Sequence, residues 1–173
     1  MSFDVWPVLT LLFQGAVAGL IVMFVTRWLD AKKSKELTRK HAMLVYTEVM
    51  LHYVVLDKAL KANLISNNTN IMYLDTEIWN SSRDRLALMP FTELMHLASY
   101  YQVINQINIL IEEQPGKLNL SNHQNFKMAF IMCQVMLPLL ARFWDTKNWK
   151  QHDKSYREHL RLAKPYFPEN HSF

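Results

Sequence analysis

Residues 30–64 read DAKKSKELTRKHAMLVYTEVMLHYVVLDKALKANL, thirty-five positions with neither glycine nor proline. The absence extends over residues 20–89, seventy positions without either common helix breaker. A β-rich domain needs turn residues at short intervals, and this chain has three glycines in all, Gly15, Gly19 and Gly116. Leu37, Leu44 and Leu51 recur every seven residues, with Met43 and Met50 beside them. That spacing predicts one long helix over about residues 30–64, and the composition predicts an all-α protein.

Working toward the N-terminus, residues 5–26 carry no formal charge. As a helix they extend about 33 Å, against ~30 Å of bilayer hydrocarbon, so they read as a membrane anchor, which the long helix can continue without a break or follow as a separate element. Trp6 and Trp28 stand near its two ends, where indole rings favour the headgroup region. Asp4 alone is charged before it, whereas Arg27, Lys32, Lys33, Lys35, Arg39 and Lys40 follow it, opposed by Asp30 and Glu36. The positive-inside bias then places the N-terminus outside the inner membrane and the remainder in the cytoplasm, as a single-pass protein. A cleaved signal peptide fits less well. It would begin with basic residues, and the small-residue site Ala16-Val17-Ala18 is followed by further apolar positions. Gly15 and Gly19 form a small-xxx-small pattern that lets two membrane helices approach closely.

Beyond the long helix, Ser66-Asn67-Asn68-Thr69-Asn70 signals a turn. Asp75 or Thr76 can cap a second helix through Trp79 to about Met89, and Pro90 suits the first turn of a third ending near Glu113. Pro115-Gly116 closes that helix. Ser121 or Asn122 can cap a fourth helix reaching about Asp145 with Pro138 inside it, where it should kink. A fifth, from Trp149 to Lys164, stops at Pro165. Short connections favour antiparallel neighbours, hence an N-terminal transmembrane helix followed by a four- to five-helix cytoplasmic bundle. The expected division is an anchor over 1–29, a bundle over 30–165 and a tail over 166–173. Residues 128–141 are also uncharged, but a run of fourteen suits a buried core helix better than a second crossing. A second crossing would also export a tail rich in lysine and arginine.

Half of the residues are apolar and a fifth charged, an ordinary globular balance. The single Cys133 excludes an internal disulfide, and its apolar neighbours Met132, Val135 and Met136 predict an inert thiol. The sequons at Asn67, Asn80 and Asn119 would be silent on the cytoplasmic side. Glu48 and His52 lie four apart on one helix face, and Glu93 and His96 make one Glu-x-x-His. A di-iron bundle needs two such units with further carboxylates, so no metal or other cofactor is expected. Glu48 and His52 instead read as satisfying one another or nearby polar groups. With no nucleophile elbow and no phosphate-cradling loop, catalytic residues are not expected either.

Lys150, Lys154, Arg157, Arg161 and Lys164 are spaced four, three, four and three, which aligns five cations along one side of a helix. Trp149, Tyr156, Leu160 and Ala163 run beside them. Such a stripe can be a solvated outer face, can rest on anionic lipid, or can hold an anionic ligand such as a phosphate. A net charge of +4 with a pI of about 9.2 is thin support for binding genomic nucleic acid.

The anchor with its basic exit, Glu48 and His52 before Leu56, Trp79 with Leu86, and Tyr100, Tyr101, Ile104 and Asn105 together resemble a group of bacterial proteins. These have one N-terminal anchor and a small cytoplasmic helical domain, mostly without assigned activity. The resemblance covers residues 5–110. The layout is also similar to small membrane effectors of bacterial antiviral systems, which implies a cytosolic domain that senses a nucleotide signal and perturbs the membrane. Two functions follow as expectations. The first is a non-enzymatic sensor or adaptor that self-associates and recruits a protein partner at the membrane; the alternative is a ligand-gated membrane effector. A bundle metalloenzyme is the remote third.

Overall fold

The structure, a computed structural model, describes residues 6–61, 73–86, 88–113 and 124–167, with side chains from Gly19 onward. The described residues form five α-helices and no strand: α1 (Trp6–Lys61), α2 (Glu77–Ser82), α3 (Phe91–Glu113), α4 (Gln124–Trp144) and α5 (Trp149–Ala163). The chain divides into two compact units, Met1–Leu37 and Thr38–Phe173.

The described residues of the first unit belong to α1, which is helical without interruption to Lys61. Lys58 and Lys61 occupy the last turn, where positive charge complements the helix dipole, and Lys61 Nζ reaches Asp57 at 2.8 Å. From Leu20 to Leu29 every apolar side chain is exposed. The remainder of the expected anchor, and the expected turns at 66–70 and 115–116, lie outside the residues whose side chains are described.

The second unit is a helical bundle. The part of α1 that belongs to it turns Ala42, Val45, Val49 and Leu56 into the core, while α3 supplies Leu97, Tyr100, Tyr101, Ile104 and Ile107. α4 lies at the centre, with Ala129, Met132, Cys133, Val135, Met136, Leu139 and Leu140 all fully buried between α3 and α5. α4 also meets α1, through the stacked rings of Tyr53 and Phe130 at 5.0 Å and the edge contact of Tyr46 with Trp144 at 5.5 Å. Among the described residues α4 is the one helix long and apolar enough to cross a membrane, and half of its apolar window is buried inside the bundle. It is the core helix that the length of the uncharged run predicts.

Three boundaries differ from expectation. α2 ends at Ser82 and continues as a 3-10 turn over Arg83–Leu86, well short of Met89. Asn80, Ser81 and Ser82 are weak helix formers, and Pro90 disfavours helical geometry in the residue before it. Pro90 stands one position before α3, where its carbonyl accepts the Glu93 and Leu94 amides at 3.0 and 3.1 Å. Finally, residue 167 does not behave as tail: Phe167 is buried, with its ring 4.7 Å from that of His96.

Candidate functional site

Two polar clusters and an open groove stand out in the bundle. The first cluster is built on one face of α1, where Thr38, His41, Glu48 and His52 succeed one another at helical spacing. All four engage the segment from Leu74 to Arg85. Glu48 is 2% exposed, and its carboxylate accepts the Ile78 amide at 2.9 Å, the Trp79 amide at 3.2 Å and the Tyr101 hydroxyl at 2.5 Å. A side chain 30 residues away thus satisfies two of the orphan N–H groups that open α2, while Asp75 Oδ1 accepts a third, from Glu77, at 2.9 Å. Burial raises the Glu48 carboxyl above its ordinary value, and these bonds from Tyr101, Ile78 and Trp79 pull it back toward the charged form.

His52 is bound on both ring nitrogens. Nε2 lies 2.6 Å from the Asp75 carbonyl oxygen, which can only accept, so Nε2 carries the proton and Nδ1 accepts from Tyr100 at 2.8 Å. Tyr100 then accepts from the Cys133 thiol at 3.2 Å, which gives a directed chain Cys133–Tyr100–His52–Asp75. Burial pushes the His52 pKa down to about 4 and the Cys133 thiol up to about 12, so the ring is neutral and the thiol protonated. Asn108 completes the clasp by pairing with both the N–H and the C=O of Leu74, at 3.0 and 2.8 Å. Thr38 Oγ1 donates to the Arg85 carbonyl at 3.0 Å, and His41 Nδ1 pairs with Ser82 at 2.9 Å. Glu48 and His52 therefore satisfy neighbouring groups and not one another. Among the described residues no group of three or more His, Cys, Asp or Glu gathers as a metal site.

The second cluster joins α3, α4 and α5. Arg142 bridges Glu93 and Asp153, the latter at 2.5 Å, and lies over the Tyr156 ring at 5.1 Å. Tyr156 in turn meets His96 Nδ1 at 2.9 Å. Glu93 and His96, three residues apart in the sequence motif, thus serve two different partners. Asp145 holds the opening of α5 through Asn148 Nδ2 and His152 Nε2, both at 3.0 Å, and those bonds depress its pKa to about 2.

The basic stripe on α5 is not a row of five equivalent cations. Lys150, Lys154 and Arg161 are exposed, but Arg157 turns back to Asp153 with Nε 2.8 Å from Oδ2. Lys164 lies past the end of α5, in a 3-10 turn. Of the adjoining strip, Tyr156 and Ala163 are buried, Leu160 is half-buried and Trp149 is exposed. Gly15 lies where no side-chain surroundings are described, and a Cβ added at Gly19 would meet nothing within 4 Å.

A groove of about 440 Å³ opens beside α2 and α3. Trp79, Leu94, Ala98 and Tyr101 form its apolar wall, and Asn80, Arg83, Asp84, Gln102 and Asn105 its polar one. The Tyr101 hydroxyl at its apolar wall donates to the Glu48 carboxylate. No family model matches this chain, and no curated protein or solved structure matches it either.

Proposed function

We propose that the protein is a membrane-anchored helical adaptor, which self-associates and recruits partners at the cytoplasmic face of the inner membrane. The observation that supports this most is the exposure of every apolar side chain from Leu20 to Leu29, six of them consecutive from Leu20 to Val25. A helix apolar on every side needs lipid or protein around it, because water gains nothing there and the bundle's own core is built elsewhere. α1 contributes residues to both units of the chain. Glu48, His52 and Asn108 hold backbone groups of the bundle, and Arg142 bridges two of its carboxylates, which fits a scaffold.

Membrane extraction and the mass of the detergent-solubilised protein test this reading. The full chain should resist alkaline extraction and run as a defined oligomer, whereas a chain beginning at Lys32 should be soluble. A Gly15→Leu/Gly19→Leu variant should lose the oligomer. A Cβ at Gly19 meets nothing within 4 Å, so lost association there would point to a neighbouring helix. Release of the full chain by alkali, or a monomer in every form, overturns the proposal. An adaptor also leaves the membrane potential intact on overexpression, while depolarisation would favour the effector.

A further inference from the structure

The surface of α1 that faces away from the core, from Met43 to Val54, has no cover among the described residues. Met43, Leu44, Met50, Leu51 and Val54 lie along it, with Leu44 49% and Leu51 57% exposed. They stand opposite Ala42, Val45, Val49 and Leu56, which are buried. Thr47 sits among them with its hydroxyl already donating to the Met43 carbonyl at 3.1 Å, so this polar group needs nothing from a partner.

We infer that this face binds the same face of a second copy, helix against parallel helix; the inference rests on the self-association proposed above. Three features select a second copy as the occupant. Symmetric pairing sets each residue opposite its equal, so any charge on the face would repel itself, and none occurs there between Met43 and Val54. The exposed lysines of α5 offer no such neutral surface. Met43 with Met50 and Leu44 with Leu51 repeat at seven residues, the period of two helices wound about each other. Lastly, five half-exposed side chains cover a few hundred Å² per copy, short of the ~800 Å² per partner of a stable interface between free proteins. Such a contact holds when the copies are already brought together in parallel by their anchors, and it lets the bundles separate when they are not.

Site-directed cross-linking in membranes of the full chain tests this, with single-cysteine additions Leu44→Cys, Leu51→Cys, Ile109→Cys and Val22→Cys. Leu44, Leu51 and Ile109 are exposed, so these changes leave the core intact, and the native Cys133 is fully buried. Under mild oxidation Leu44→Cys and Leu51→Cys should give disulfide dimers several-fold more readily than Ile109→Cys on α3. Cross-linking through Val22→Cys without Leu44→Cys or Leu51→Cys overturns the inference and leaves self-association through the anchor standing. A mixture of Leu44→Cys and Met50→Cys that links in preference to either alone marks an antiparallel pair and overturns the parallel one. Dimers at Leu44→Cys and Leu51→Cys in a chain that alkali releases from membranes overturn the inference, because the contact would then hold without an anchor.

Discussion

The Glu48 carboxylate and the Tyr101 hydroxyl meet at 2.5 Å inside the bundle, joining the long helix α1 to α3. The same carboxylate opens α2 by accepting two backbone amides. Glu48→Ala would leave three donors unpaired, two of them buried, and should cost about 3–5 kcal/mol, read as a lower midpoint in urea unfolding. Tyr101→Phe removes one bond to a charged acceptor and keeps the ring stacked on Trp79 at 4.7 Å, so it should cost about 1.5–3 kcal/mol.

His52 makes stability depend on pH. Its folded pKa of about 4 lies below the ordinary 6.5, so the folded protein resists a proton that the unfolded chain accepts. The contribution is fully present above pH ~6.5, falls as the pH drops, and is lost by about pH 4, a change of roughly 3 kcal/mol. Glu48, raised above its ordinary value, works in the opposite sense at the acid end. Unfolding free energies measured between pH 7 and 4 should therefore fall less steeply in His52→Gln than in the parent chain.

Arg142 pins α5 to the bundle by bridging Glu93 on α3 and Asp153 on α5. Arg142→Ala leaves both carboxylates poorly solvated and should cost about 3 kcal/mol. Arg142→Lys should recover only part of this, because an ammonium lacks the planar fork that serves two carboxylates at once. Amide hydrogen exchange resolves the effect, with protection lost first across Trp149–Ala163.

The Cys133 thiol, buried and pushed up to about 12, should not react with a maleimide or an aromatic disulfide at pH 8 while the bundle is folded. Complete labelling after addition of denaturant is the expected contrast. Rapid labelling of the native protein would mean that α4 opens.

Charge on the outer side of α5 should matter to binding and not to folding. Replacing Lys150, Lys154 and Arg161 together by glutamine should change stability by less than about 0.5 kcal/mol per site. If the face rests on anionic lipid, the same variant should lose about 1 kcal/mol of vesicle affinity per charge, read by co-sedimentation with phosphatidylserine vesicles. Equal binding by both forms removes lipid from the roles of this helix.

Helicity, the length of α1 and the burial of α4 follow from local pattern: the absence of breakers, apolar spacing, and a run of fourteen uncharged residues too short to span easily. These depend on neighbours a few positions away, and the amino-acid order displays them directly. Glu48 and His52 are likewise conspicuous as polar residues in a greasy helix, but their partners are not legible. Two are the backbone amides of Ile78 and Trp79, which no side-chain pattern reveals, and two are the hydroxyls of Tyr100 and Tyr101, some fifty positions on. The stripe on α5 shows the same limit, since nothing in its spacing tells that Arg157 is held by Asp153 while Asp153 also holds Arg142. Secondary structure is a short-range property of the chain. Which buried polar group meets which is decided only when the helices pack, because each must find a partner away from water and the packing alone determines what lies within 3 Å.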